Sequence, residues 1–204
     1  MEKINRELDK YIEAFSSAED ELLTELDRQT NLKVIQPRMI SGHVQGKFLE
    51  ILTRMHRPGN ILEIGTFTGY STLCLAAGLA EDGVIDTIEV EDELEAISSG
   101  FFNRSVHGHK IRQHIGSALE VAPGLGKVFD LVFIDGDKRE YPDYYKMIMG
   151  DNDKPGLVRS GSVILADNIL WYGKVIEDIP ANDLHTKGII EFNRMVREDD
   201  RVEN

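Results

Sequence analysis

A regular alternation of short apolar runs and helix-like stretches begins at Pro58-Gly59 and continues almost to the end of the chain. The five apolar runs span residues 61–64, 84–90, 111–115, 131–134 and 162–166. Helical stretches separate or follow them near residues 70–80, 92–104, 117–122, 138–149 and 183–198. Strands that alternate with helices predict a mostly parallel sheet with helices on both faces and right-handed connections. The fold class is therefore α/β.

The chain before this alternation has a helical pattern. Apolar residues recur at helical spacing before Ser16, which predicts a first helix over residues 2–15. Ser17 and Asp20 have the spacing of a capping box, which predicts the start of a second helix. Ser41 is predicted to cap a third helix. One face of that helix carries Val44, Phe48, Ile51, Leu52 and Met55.

Composition limits the class of protein. The 204 residues, 41% of them hydrophobic, predict one domain, with helices over 1–57 and an α/β core over 58–204. A formal charge of −13 argues against nucleic-acid binding, which depends on Lys and Arg. The single cysteine, Cys74, excludes an internal disulfide. No apolar run could span a membrane and no signal peptide is evident, so we expect a soluble, cytoplasmic protein.

The loop after the first apolar run contains two glycines, Gly65 and Gly69, in a Gly-x-x-x-Gly spacing. Glycines at this place let the backbone turn sharply and approach a ligand. The spacing is neither the Gly-x-Gly-x-x-Gly of dinucleotide folds nor a lysine-bearing phosphate loop. A dinucleotide is therefore disfavoured. Glu63 directly precedes this loop, where a carboxylate could face a cation or an amine.

An acidic residue, Glu89, ends the second apolar run. In sheets of this type such a residue accepts hydrogen bonds from ribose hydroxyls. Together with Glu63, it suggests a positively charged nucleoside ligand without a pyrophosphate, a description that S-adenosylmethionine fits. A glycine-containing turn and a solvated glutamate would explain the same residues without a ligand.

Polar side chains also follow the fourth and fifth apolar runs. Asp135 follows one, and Asp167 and Asn168 follow the other. Because parallel strands end at the same edge of a sheet, these three side chains could converge. Carboxylate and amide oxygens suit Mg²⁺, Mn²⁺ or Ca²⁺. The alternative is that each aspartate caps the helix that follows it, as Asp137 and Asp183 are expected to do.

Lys138 lies one helical turn from Asp135. Beside a divalent metal it could act as a general base. By itself, however, a lysine at this position is explained equally well as a surface residue at the start of a helix.

Taken together, residues 61–71, Glu89, 135–138 and 167–168 resemble the cation-dependent O-methyltransferase family. This family includes catechol O-methyltransferase and the caffeoyl-CoA O-methyltransferase-like enzymes of plants and bacteria. The resemblance extends from about residue 37 to residue 203. It implies the Rossmann-like fold of class I S-adenosylmethionine-dependent methyltransferases, a divalent cation, a small aromatic acceptor and a homodimer.

The resemblance also implies a role for each site residue. The methionine part of S-adenosylmethionine would contact Ser41, Glu63, Gly65, Phe67, Tyr70 and Ser71. Glu89 would hold the ribose, and Ser117 and Ala118 would flank the adenine. Asp135, Asp167 and Asn168 would bind the metal, with Asp135 also bordering the methyl donor and Lys138 as the catalytic base. Trp171 would lie near the acceptor, although a core tryptophan is an equally good explanation.

The resemblance leaves two differences and several alternatives. Family members end in a strand hairpin that this chain, which stops at Asn204, is expected to lack, and they often have alanine where Gly136 stands. The acceptor could be a catechol, a caffeate-like acid, a flavonoid or a CoA ester. The alternative functions are a non-catalytic relative that binds S-adenosylmethionine, a nicotinamide-dependent oxidoreductase and a Mg²⁺-dependent phosphoryl transferase.

Overall fold

A five-stranded parallel sheet forms the centre of the computed structural model, which describes residues 2–151 and 153–204. The strands are β1 (Asn60–Ile64), β2 (Val84–Glu89), β3 (Ile111–Ile115), β4 (Phe129–Ile134) and β5 (Val158–Ala166). Their order is β3-β2-β1-β4-β5, and each neighbouring pair is parallel. The α/β class predicted from the sequence is confirmed. β5 begins four residues earlier than predicted, because an irregularity in its pairing with β4 lets the ladder continue.

Eight α-helices accompany the sheet in the described residues. They are α1 (Glu2–Phe15), α2 (Glu21–Lys33), α3 (Gly42–His56), α4 (Tyr70–Ala76), α5 (Glu95–Phe102), α6 (Ala118–Gly124), α7 (Tyr141–Met149) and α8 (Leu184–Glu198). Short 3₁₀ turns lie at Pro37–Met39, Asp92–Leu94, Gly108–Lys110 and Trp171–Ile176. The last of these turns was not predicted.

Each face of the sheet is covered by its own set of helices. The core on one face joins strand residues such as Ile61 to α2, α3, α4 and α5. The core on the other face joins Leu62 and its neighbours to α6, α7 and α8. Neighbouring residues of the central strands β1 and β4, such as Ile61 and Leu62, are therefore both fully buried, which explains why these strands are apolar runs rather than alternating patterns. Burying one such side chain contributes roughly 1.5–3 kcal/mol.

α2 and α8 are each capped by an aspartate, of which only Asp183 was predicted as a cap, and the predicted Ser41 cap is not formed. The carboxylate of Asp20 itself, rather than Ser17, caps α2 by accepting from the backbone N–H of Leu22 at 2.8 Å. Asp183 caps α8 by accepting from the N–H of Thr186 at 3.0 Å. Ser41 precedes α3 but its hydroxyl makes no capping bond, so that prediction is wrong.

The buried face of α3 differs from the apolar face noted in the sequence. Its buried residues are Gly46, Leu49 and Thr53. A Cβ atom at Gly46 would lie 2.5 Å from the Tyr70 ring, so glycine lets α3 approach α4 closely. The exposed face carries Val44, Phe48, Ile51 and Met55.

The chain topology creates a crevice between two neighbouring strands. β1 leads to β2 on one side, whereas its other neighbour, β4, leads to β5 on the opposite side. Ligands of open α/β sheets bind beyond the carboxyl ends of the strands at such a reversal. The backbone N–H of Asp135 donates to the carbonyl of Ile64 at 2.8 Å, which brings the two loops at this reversal into contact.

The described chain after α8 forms no strand, so β5 is an edge of the sheet as this structure describes it. No helix among the described residues has the length and apolar character needed to cross a lipid bilayer.

Candidate active site

The loop between β1 and α4 has a tightly constrained backbone. Gly65, Phe67 and Gly69 all have positive φ angles, of 100°, 50° and 93°. A Cβ at Gly65 would overlap the carbonyl oxygen of Asp135, and one at Gly69 would overlap the ring of Phe102. The two glycines are therefore needed both for their dihedral angles and for space.

Glu63 lies beneath this loop with no exposed surface. Its Oε2 accepts from the hydroxyls of Thr72 and Thr87, the latter at 2.6 Å, while Oε1 has no hydrogen-bond partner. Burial raises the pKa of Glu63 to about 7, although neighbouring hydroxyls, including that of Ser71, lower it. The carboxylate predicted to meet the methionine moiety is thus enclosed in this structure and supports the loop from below.

Glu89 connects the ends of β1 and β2. Its Oε2 accepts from the N–H of Phe67 at 2.6 Å, and its Oε1 accepts from the N–H groups of Val90 and Glu91 at 2.9 and 3.0 Å. A carboxylate has about four lone-pair sites, so one acceptor site remains. Glu89 therefore both fixes the loop and can accept a hydrogen bond from a ligand hydroxyl.

The other residues predicted to bind the methyl donor lie around this loop with different degrees of burial. Ser41 and Ser117 are partly buried at the starts of α3 and α6, and Ser117 makes no capping bond. Ser71 and Ala118 are buried. Tyr70 packs on Gly46 of α3 and its hydroxyl donates to Glu19, so in this structure its side chain joins α4 to the N-terminal helices.

Asp135 stands at the carboxyl end of β4 and is partly buried. Its Oδ1 accepts from Lys138 Nζ at 2.7 Å. Burial raises the pKa of Asp135 to about 6, Lys138 opposes this increase, and the negative charge of Asp167 adds to it. Asp135 and Asp167 each follow directly after a paired residue, Ile134 of β4 and Ala166 of β5, as expected for parallel strands that end at one edge.

Asp167 and Asn168 follow β5. Asp167 Oδ1 accepts from the N–H of Asn168 at 2.8 Å, and Oδ2 accepts from the side-chain amide of Gln45 on α3 at 3.1 Å. The side chain of Asn168 is exposed, and its φ of 58° is unusual for a residue other than glycine. Neither Asp135 nor Asp167 caps a helix, in contrast to the alternative considered from the sequence.

Lys138 is buried rather than on the surface, with 7% of its area exposed. Besides Asp135, its Nζ lies 3.2 Å from the carbonyl of Gly136 and 4.8 Å from the ring centre of Tyr141. The hydroxyl of Tyr141 is in turn 3.0 Å from the carbonyls of both Ile134 and Asp167. Tyr141 thus supports the lysine and connects the ends of β4 and β5.

Asp137, two residues beyond Asp135, does not belong to this cluster. It accepts from the N–H of Arg139 at 2.9 Å and pairs with the Arg139 guanidinium. α7 begins only at Tyr141, after Glu140, so the prediction that Asp137 caps this helix is wrong.

The segment after Asn168 forms an exposed rim beside the two aspartates. Trp171 is partly buried, stacks on His185 with ring centres 6.2 Å apart, and has an indole N–H without a partner. Tyr172 is 89% exposed, and both residues have positive φ angles, of 42° and 56°. Strained backbone of this kind is frequent at functional sites.

Three contributors to this arrangement were not singled out from the sequence. Gln45 contacts Asp167, Tyr141 supports Lys138, and Glu19 holds Tyr70. The contacts of Gln45 and Glu19 join distant parts of the chain, and no local motif marks Tyr141, which lies three residues after Lys138. Among the described residues, no three His, Cys, Asp or Glu side chains form a metal-binding group, so the predicted centre depends on Asn168 as well.

A cleft of about 490 Å³ lies away from this cluster. It is at the amino ends of β1, β4 and β5, between Pro58 and Gly161. Asp130 at its base is already bonded to the N–H groups of Gly59 and Asn60 and to Arg159. Its position at the opposite edge separates this cleft from the crevice at the carboxyl ends.

A model of the O-methyltransferase family matches residues 13–204. The chain belongs to the O-methyltransferase family. The family, the class I fold and the enzyme class expected from the sequence are thereby confirmed. A nicotinamide-dependent oxidoreductase and a phosphoryl transferase are no longer supported.

Individual relatives agree with this assignment. The O-methyltransferase chain is 33% identical over 196 residues to a caffeoyl-CoA O-methyltransferase of Petroselinum crispum, which covers 91% of this chain and 78% of that protein. It is 29% identical over 198 residues to a catechol O-methyltransferase of Niastella koreensis, covering 95% of this chain and 86% of that protein.

A solved structure is also similar. The O-methyltransferase from Bacillus cereus in complex with SAH has a TM-score of 0.85 and 30% sequence identity. The match covers 96% of this chain and 87% of that one.

Proposed function

We propose that this O-methyltransferase transfers a methyl group from S-adenosylmethionine to one hydroxyl of a catechol-like aromatic molecule or its CoA ester, with a bound divalent cation. The observation that carries the proposal is the pairing of two aspartates at adjacent strand ends. Asp135 and Asp167 follow the paired residues Ile134 and Ala166, Lys138 is bonded to Asp135, and the backbone of Asp135 lies against Gly65 of the glycine loop.

The residues present fit a divalent cation. Two carboxylates and the amide oxygen of Asn168 are hard oxygen donors of the kind that Mg²⁺, Mn²⁺ and Ca²⁺ prefer. The mutual repulsion of Asp135 and Asp167 contributes to the raised pKa of Asp135, and a cation between them would relieve it. When bound, the cation would lower the pKa of a chelated acceptor hydroxyl and fix the position of its oxygen.

On the other side of the crevice, the protein would hold the methyl donor by its backbone and by Glu89. The Glu89 carboxylate keeps one free acceptor site for a ribose hydroxyl, and its bond to Phe67 fixes the loop that borders the methionine part. Gly65 lets this loop lie directly against Asp135. The donor and the acceptor would therefore be held next to each other, which accelerates the reaction through proximity and orientation.

In its neutral form, with the ammonium proton already lost, Lys138 would accept the proton of the acceptor hydroxyl at Nζ. It is held in a fixed position by Asp135, the carbonyl of Gly136 and the ring of Tyr141. A lysine that is buried and oriented in this way is suited to proton transfer over a short, defined distance.

The acceptor would lie beside Trp171 on the exposed rim. Residues 104–112 contain several basic side chains that could bind the phosphates of a CoA ester, but they lead into β3, at the far edge of the sheet from β5. Arg104 in this run already pairs with Glu25. A small catechol is therefore our first choice of acceptor.

A methyl-transfer assay with a panel of catechols tests the proposal, with product identified by mass spectrometry. We expect transfer to vicinal diols that requires Mg²⁺ or Mn²⁺ and stops with chelator. Methyl transfer that continues in the presence of chelator would contradict the requirement for a cation. Donor binding without transfer to any vicinal diol would favour a non-catalytic protein that binds S-adenosylmethionine. The homodimer, the absence of nucleic-acid partners and the cytoplasmic location remain predictions.

A further inference from the structure

Gln45 contacts one of the two central aspartates from outside the strand-end loops. It lies on α3, and its side-chain amide nitrogen donates to Asp167 Oδ2 at 3.1 Å. The other oxygen, Oδ1, accepts from the backbone N–H of Asn168. Both oxygens of Asp167 are thus held in place, and each keeps a lone pair for a further ligand.

The position of Gln45 is set by helix packing. The adjacent Gly46 is buried against α4, where a Cβ would lie 2.5 Å from the Tyr70 ring and 2.7 Å from the sulfur of Cys74. Only glycine permits this close approach, which brings the start of α3 over the carboxyl end of β5. A side chain on a packed helix holds its partner more accurately than one on a loop.

The partners of the two aspartates differ in charge. Asp135 is bonded to a lysine, whose positive charge an incoming cation would repel. Asp167 is bonded to a neutral amide, which can stay in place when a cation binds to the same carboxylate. Gln45 is therefore able to orient its aspartate both before and after cation binding.

We propose that Gln45 is a positioning residue for the cation site, because its hydrogen bond fixes the direction of the Asp167 carboxylate. The proposal rests on the proposed function, in which Asp167 binds the cation. Hydrogen bonds that orient metal ligands typically contribute about 10–100-fold to metal affinity.

The test compares two methionine substitutions on the same helix. Gln45→Met keeps the length of the side chain but cannot donate a hydrogen bond, and Val44→Met places the same side chain at the exposed neighbouring position. We measure Mn²⁺ binding to each full-length variant by electron paramagnetic resonance, without donor or acceptor. We expect about tenfold weaker Mn²⁺ binding for Gln45→Met and a change below about twofold for Val44→Met.

Two further measurements separate positioning from damage to the fold. S-adenosylhomocysteine binding by calorimetry should be unchanged in Gln45→Met, and its turnover should recover at high Mn²⁺. If Gln45→Met does not fold, the same measurements are made on Gln45→Ala. Equal Mn²⁺ affinity of wild type and either Gln45 variant would overturn this inference alone. A wild type that binds no Mn²⁺ would overturn the cation in the proposed function, and this inference with it.

Discussion

The two sides of the crevice are held in different ways. On the side of β1 and β2, the loop at Gly65 and the Glu89 carboxylate form a buried network of backbone and hydroxyl hydrogen bonds. On the side of β4 and β5, the loop continues into an exposed rim that includes Leu170 and Tyr172, with three non-glycine residues at positive φ. The first side is fixed by many internal contacts, and the second has few.

This difference corresponds to what each side is proposed to bind. A methyl donor is the same molecule in every reaction cycle, so its loop can be built rigidly around one shape. An acceptor varies in size, and an exposed rim can change its side chains without disturbing the core. Only the two aspartates and Lys138, which would take part in every transfer, are fixed on the second side.

The largest effect should come from removing a charge on the β4–β5 side. Asp135→Asn keeps a hydrogen-bond acceptor for Lys138 but removes the carboxylate that would bind the cation. A bound cation contributes several kcal/mol to such a reaction, so we expect kcat/KM to fall by about 1000-fold. S-adenosylhomocysteine binding by calorimetry should be retained. Asp137→Asn, whose carboxylate pairs with Arg139 instead, is the control, and equal losses in both variants would argue against a distinct role for Asp135.

The β1–β2 side should respond to pH through Glu63. Its pKa is about 7 in the folded protein against an ordinary 4.5, so the folded state binds the proton more tightly than the unfolded state. Ionisation of Glu63 therefore lowers the free energy of unfolding as the pH rises from about 4.5 to about 7, by about 3 kcal/mol in total. Urea unfolding should show that the free energy of unfolding falls less between pH 5 and pH 8 in Glu63→Gln than in wild type. Parallel losses in both proteins would contradict the raised pKa.

A substitution at Glu89 tests whether donor binding on the β1–β2 side depends on this one carboxylate. Glu89→Gln replaces the carboxylate, which accepts from the N–H groups of Phe67, Val90 and Glu91, by a neutral amide. Hydrogen bonds to charged groups contribute about 1.5–3 kcal/mol, so we expect S-adenosylhomocysteine to bind about 10–100-fold more weakly. Calorimetry on Glu91→Gln, the exposed neighbour, provides the comparison. An unchanged affinity in Glu89→Gln would remove Glu89 from the donor site.

The smallest effect should come from the exposed rim. Tyr172 is 89% exposed, so Tyr172→Ala should change the free energy of unfolding by less than about 0.5 kcal/mol. We expect the KM for a catechol acceptor to rise a few-fold, while donor affinity stays the same. A large loss of stability would show that this rim is as firmly held as the β1–β2 side.

The sequence predicted the features that depend on local patterns. The central strands β1 and β4 were visible because both faces of the sheet are covered there, which makes them apolar runs. The proximity of Asp135 and Asp167 followed from parallel strands that end at one edge. Asp183 was identified as a cap from its position before a helical stretch.

Contacts between side chains that no local pattern connects could not be predicted in this way. The apolar residues noted on one face of α3 did not show which face packs inward, because the close fit at Gly46 is visible only in the structure. The burial of Glu63 depends on Thr72 and Thr87, which no motif connects to it. Lys138 was explained equally well as a surface residue because the ring of Tyr141 beneath it is visible only in three dimensions.

The close approach of Gly65 to the backbone of Asp135 has a consequence for protein engineering. The two loops share one narrow space, so a chimera that takes residues 60–90 from a relative must also take the residues around Asp135 with which they fit. A library that varies acceptor preference can instead be confined to residues 169–176, where exchange of side chains leaves that fit intact.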